Sequence, residues 1–166
     1  MAITHDQGMA TLGDLVKDVR VVMFTTREAH GELRSRPMTT QGGDPIDDGA
    51  LWFFMSRHGD PVAQLEAHPA VNLAYAHPGD DIYVSISGIA SVVDDDAKKA
   101  ALWSPFAKAW FPGGVTDPDL ALVKVVIGTA HYWQVKESKF VQLFEIAKAA
   151  ITGTRPVLGQ EGLVGT

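Results

Sequence analysis

The chain has 166 residues, 20 Asp and Glu against 14 Lys and Arg, and no cysteine. That length suits one domain, 1–166, with a core able to fold unaided. A net charge of −6 argues against a binder of nucleic-acid phosphates, and the lack of cysteine excludes disulfides, iron–sulfur clusters and thiolate zinc sites. No apolar run approaches the ~20 residues of a membrane span, and the N-terminus lacks the basic-then-apolar pattern of a secretory signal. The expectation is a cytoplasmic protein that binds neither membrane nor nucleic acid.

In chain order, residues 1–10 are small and polar and are expected to fray. Thr11 to Asp18 reads as a short helix, with Thr11 or Asp14 available as a cap. Val19 to Thr26 is β-branched and reads as a strand, Glu28 to Gly31 as a turn, and Glu32 to Thr39 as the returning strand of a hairpin. Gln41 to Gly49, rich in Gly and Asp, is a loop. Ala50 to Ser56 is a continuous apolar run, the pattern of a strand buried on both faces. Asp60-Pro61 reads as an N-cap and first helical residue, opening a helix through Glu66 with Val62 and Leu65 inward.

Val71 to Ala76 is extended, and Pro78 to Asp81 is a turn. Ile82 to Val93 is the clearest strand: Ile82, Val84 and Ile86 share one face, and the alternation breaks at Gly88, where a bulge or bend is expected. Asp94 to Asp96 caps a helix bearing Leu102 and Trp103, and an aromatic segment from Phe106 to Phe111 stops at Pro112-Gly-Gly114. Leu120 to Val135 is a long strand with Gly128 as another bulge candidate. Phe140, Leu143, Phe144, Ala147 and Ile151 have helical spacing, so 138–153 reads as a C-terminal helix, closed at Gly153. About six strands, glycine bends and no βαβ alternation point to a small closed barrel, in which closure removes exposed strand edges.

No phosphate-cradling glycine loop, dinucleotide fingerprint, zinc-protease helix or nucleophile elbow is present. The six histidines form no i, i+4 pair and the Asp runs read as caps and turns, so no metal site is expected. Arg34 and Arg36 alternate on a strand and so share a face. Either an anion such as a phosphate satisfies both through bidentate bonds, or both pair with nearby carboxylates. Trp52 to Met55 reads as core, or as a wall against which a flat aromatic ligand packs.

Several pieces stand in a characteristic order: Gly31-x-x-x-x-Arg36-Pro-Met38, Leu51-Trp-Phe-Phe54, His68-Pro-Ala-Val-Asn-Leu-Ala-Tyr75, Tyr83-Val-Ser-Ile-Ser-Gly88, Trp110-Phe-Pro-Gly-Gly114, Tyr132-Trp133 and Lys148-Ala-Ala-Ile-Thr-Gly153. In this the chain resembles the pyridoxamine 5′-phosphate oxidase-like FMN-binding split-barrel proteins, and among them the general stress protein branch. The resemblance implies a mainly β fold with peripheral helices, a six-stranded antiparallel split barrel. It implies a homodimer with FMN in two equivalent clefts between subunits. Arg36 would anchor the FMN phosphate with Arg34 beside it, while Pro37, Met38 and Thr39 run along the isoalloxazine. Phe54, Met55, Ser56 and Arg57 would add contacts, and Trp110 would help to cover the ring. No side chain is nominated as catalytic, because the flavin supplies the chemistry toward a small-molecule redox substrate.

The sequence departs from the family at Met55, Gly59 and Pro61, where threonine, serine and lysine are usual, and Gln41 stands where the oxidase proper has a lysine. Arg57 or Arg34 is left to replace the missing cation. The expected function is therefore an FMN-dependent oxidoreductase other than the oxidase itself. The alternatives are a non-catalytic flavin-binding stress protein, or a split barrel that binds haem, a deazaflavin or nothing.

Overall fold

A computed structural model describes residues 5–44, 46, 49–135, 142, 146, 148, 149, 152, 153 and 159–165. The elements run α1 (His5–Val16), β1 (Val21–Arg27), β2 (Leu33–Thr39), β3 (Ala50–Ser56), α2 (Asp60–Ala67), β4 (Ala70–His77), β5 (Ile82–Val93), α3 (Asp96–Leu102), two 3-10 turns (Pro105–Ala109 and Gly114–Thr116), β6 (Leu120–Gln134) and β7 (Gln160–Gly165). All strand pairs are antiparallel, in the order β2-β1-β4-β5-β6-β3. The circuit closes where Thr40, just past β2, bridges Phe53 of β3, and the Gln41 N–H donates to the Trp52 carbonyl at 2.8 Å. This is the six-stranded antiparallel barrel that the sequence leads one to expect, with one strand added.

That added strand, β7, pairs with β6 from Thr129 to Gln134, on the edge that β3 leaves after Val126. The glycine-rich C-terminal stretch thus protects an otherwise open edge. Its Val164 is buried, and a Cβ on Gly8 of α1 would lie 2.6 Å from the Val164 side chain, so glycine lets the helix pack close to β7. Helix α1 consequently begins at His5, within the stretch expected to fray. Thr11 is not its cap but lies inside it, and its hydroxyl donates to the Gln7 carbonyl one turn back.

The barrel interior is filled by alternate residues, among them Val22, Phe24, Leu51, Phe53, Leu73, Ile86, Val123 and Val125, with Leu12 and Val16 of α1 and Val62 and Leu65 of α2 added. Phe24 and Phe53 meet edge to face at 5.1 Å. Strand β3 is buried on both faces, as its composition foretells. Leu51, Phe53 and Met55 face the barrel, while Ala50, Trp52 and Phe54 face a second cluster with Ala107, Phe111, Leu120 and Leu122.

Both bulge expectations meet in one feature. Gly88 pairs with Ile127 and Ser87 with Thr129, which leaves Gly128 as the extra residue. Along β6 the residues in the barrel core are Ala121, Val123, Val125 and Ile127 before it and Ala130 after it. The bulge shifts the strand's phase by one residue and so keeps both halves facing the core.

Helix α2 is capped by Gly59, not Asp60: Asp60 is the first helical residue, Pro61 follows it, and no side chain bonds the free N–H groups. Asp95 does cap α3, accepting from the Lys98 N–H at 2.8 Å. The helix expected over 138–153 falls largely outside the described residues. Residues 142, 146, 148, 149 and 152 are helical. No described helix is long and apolar enough to cross a membrane.

Candidate functional site

The hairpin register sets Arg36 opposite Phe24 and Arg34 opposite Thr26. Phe24 and Thr26 point into the barrel, so both arginines emerge on its inner side, with Met38 packed on the core beyond them. Their fates differ. Arg34 is 59% exposed and pairs through Nε with the Glu28 carboxylate across the turn. Arg36 is half-buried, and its acceptors among the described residues are neutral. Its Nη1 donates to Thr26 Oγ1 at 2.7 Å, and both Nη1 and Nη2 donate to Gln64 Oε1 at 3.2 Å. The Thr26 hydroxyl in turn donates to Gln64 Oε1 at 2.6 Å.

No carboxylate touches the Arg36 guanidinium among the described residues. Burial lowers its pKa from the ordinary arginine value and Arg34 lowers it further, while Glu28 and Asp60 act in the opposite sense. An arginine stays protonated under such shifts. What remains is a fixed cation with donor capacity to spare, the chemistry that receives a phosphate or carboxylate.

The other expected site residues separate into groups. Pro37 and Thr39 lie exposed on the opposite face of β2 from Arg36, and Met38 is half-buried against the core. Met55 is taken up by the barrel core, and Phe54 packs 6.0 Å from Trp103 in the second cluster. Neither side chain is free to face a ligand, so beyond the β3 backbone the contacts expected there fall to Ser56 and Arg57. Ser56 is exposed, and its hydroxyl donates to Asp119 Oδ1 at 3.0 Å, a bond that holds the Asp119 carboxyl below its usual range. The Arg57 guanidinium pairs with Asp94 at 3.2 Å. Hydrogen bonds among the described residues do not join this group to Arg36. Trp110 is 82% exposed, next to a buried Phe111, so the turn is anchored while its indole stands free.

Reading the sequence misses Thr26 and Gln64. Thirty-eight residues separate them, and only the packing of α2 against β1 brings them to one guanidinium. No group of three or more His, Cys, Asp or Glu that could hold a metal occurs among the described residues.

The outer face of the sheet is unusually apolar. Met23, Tyr83, Ile89, Val126, Trp133 and Leu163 are all exposed on it. Small residues, Ala74, Ser85 and Ser87, lie between them in register. A shallow cleft of about 390 Å³ opens on this face at the bulge, lined by Thr25, Thr26, Leu33, Asn72, Gly88 and Thr129 among others. Thr26, one of its lining residues, is also the acceptor for Arg36 Nη1.

The chain is thus an antiparallel barrel with an anchored cation on its second strand, and comparison with known proteins narrows the class. A sequence model of the family described as pyridoxamine 5′-phosphate oxidase like matches residues 7–157. The chain belongs to that family. It is 29% identical over 161 residues to the protein bli-3 of Neurospora crassa, covering 89% of this chain and 75% of that one. It is similar in structure to a candidate general stress protein 26 from Jannaschia sp. CCS1, with TM-score 0.74, 28% identity and coverage of 95% and 98% of the two chains. A general stress FMN/FAD binding protein from Xanthomonas citri gives TM-score 0.67 at 32% identity, over 81% of this chain and 92% of that one.

Proposed function

We propose that this protein binds FMN, with the phosphate at Arg36, and acts as a flavin-dependent oxidoreductase on a small-molecule substrate. The observation that carries this reading is a half-buried guanidinium held by Thr26 and Gln64, with no carboxylate on it among the described residues. The donor set fits the group: a phosphate monoester supplies the anion that Arg36 lacks. The similar Xanthomonas protein, described as FMN/FAD binding, supports the same ligand class.

In this reading Arg36 fixes the phosphate end, and Arg34 contributes at longer range because Glu28 already engages it. The backbone that follows, from Pro37 to Thr39, is the stretch along which the flat ring system would run. Ser56 and Arg57 supply hydroxyl and backbone contacts. Bound FMN would supply hydride and single-electron chemistry, and the chain orients and shields it. The wide apolar sheet face is the surface for a second copy of this chain, making a homodimer whose subunits together wall the cleft, with Trp110 reaching over the ring. Because Gln41 stands where the oxidase proper has a lysine, pyridoxamine phosphate oxidation is not proposed.

The test is a visible spectrum of the purified protein, followed by titration of apoprotein with FMN. Saturable quenching of flavin fluorescence at micromolar protein, with bleaching by a reduced nicotinamide, is the expected result. The absence of saturable binding at tens of micromolar would sink the proposal.

A further inference from the structure

We propose that Gln64 is the positioning residue that makes Arg36 selective for phosphorylated flavin. This rests on the reading of Arg36 as the phosphate anchor. The Gln64 amide oxygen accepts from Nη1 and Nη2 of Arg36 and from the Thr26 hydroxyl. Three donors converging on one atom dictate that this atom is the oxygen of the amide. The geometry resembles that of an arginine–carboxylate pair, but the partner carries no charge. The guanidinium is thus held in place and keeps its full positive charge for a ligand, whereas a carboxylate at the same point would cancel it.

The contrast with Arg34 shows what that difference does. Arg34 sits one alternation away on the same strand and is paired with Glu28. Its charge is largely spent within the hairpin. Gln64 is carried on α2 by its neighbours Val62 and Leu65, both buried in the core, so its amide is aimed by a packed element and not by a flexible loop.

The prediction separates charge from fold. Gln64→Glu is nearly isosteric and retains acceptors for Arg36. It should raise the dissociation constant of FMN about tenfold or more, while riboflavin, which has no phosphate, is expected to bind as the wild type binds it. Gln64→Leu removes the acceptor without adding charge. It should weaken FMN by roughly two- to tenfold, and the loss should vanish in an Arg36→Ala background, because Gln64 acts through that arginine. Fluorescence titration with FMN and with riboflavin reads both, and circular dichroism confirms folding. If Gln64→Leu does not fold, Gln64→Glu alone decides the question.

Equal loss of both flavins, or an unchanged FMN-to-riboflavin ratio in Gln64→Glu while Arg36→Ala lowers it, overturns the role of Gln64 and leaves the phosphate site standing. An unchanged ratio in Arg36→Ala itself overturns the phosphate site, and the role of Gln64 with it.

Discussion

Arg34 and Glu28 form an ion pair across the turn between β1 and β2, and this pairing divides the work of two arginines that share a strand face. One guanidinium ties the hairpin, and the other has no carboxylate in contact among the described residues.

Arg36→Ala should weaken FMN binding by at least about 1.5 kcal/mol, the value of a charge-assisted hydrogen bond. Arg34→Ala should cost less than half of that, since its exposed pair with Glu28 already screens it. Parallel titrations with flavin fluorescence check the order, and a larger loss at Arg34 would place the phosphate elsewhere.

Gly88 has no room for a side chain. A Cβ there would lie 2.5 Å from the Val126 carbonyl oxygen and 2.8 Å from a Val125 methyl carbon. Gly88→Ala must therefore push β5 off β6 at the bulge, and a destabilisation of about 2–4 kcal/mol is expected. Urea unfolding measures it. A stability within 0.5 kcal/mol of wild type, about the scatter of surface substitutions, would show that the two strands separate without strain.

Tyr75 is buried, and its hydroxyl meets that of Thr40 at 3.0 Å. Burial pushes its pKa up from 10.0 to about 12, with the Thr40 bond a smaller opposing influence. The folded chain therefore keeps this proton where the unfolded chain loses it. The contribution is fully present below pH 10 and is lost as pH rises through 12, some 2–3 kcal/mol in all. Tyr75→Phe should cost about 1 kcal/mol at pH 8 and flatten this alkaline decline. Urea midpoints between pH 8 and 12 provide the comparison.

Trp133 is 45% exposed and stacks on His131 at 6.3 Å, on the apolar outer face near the end of β6. Trp133→Asp should leave the fold intact and convert the proposed dimer to a monomer, because an unpaired charge would be buried at the interface. Sedimentation velocity distinguishes the two masses. A wild-type monomer at micromolar concentration would remove the shared-cleft arrangement.

Much of the architecture is legible in local pattern. The alternation from Ile82 to Ile86, the double-faced apolar run of β3 and the buried Val62 and Leu65 all follow from side-chain period alone. The seventh strand is not legible, because its glycines depress strand propensity. It forms because β6 offers a free edge and because Gly162 lies opposite Tyr132 in the register. The cap of α2 goes to Gly59 since its extended backbone precedes the proline, and Asp60 gains the first helical position instead. That the Phe54 and Met55 side chains are both taken up by packing is equally hidden from the sequence. A strand buried on both faces has no side left for a ligand, and which face is open depends on the 3-10 segment packed over it.

The amino-acid order by itself determined six of the strands, the glycine bulge and the arginine pair, since side-chain period, backbone freedom and charge spacing are local properties. Only the tertiary structure decided which arginine keeps its charge. The acceptors of Arg36 come from a neighbouring strand and a helix far along the chain, while the carboxylate that neutralises Arg34 comes from the turn beside it. Long-range packing selects between such partners, and neither composition nor spacing encodes that choice.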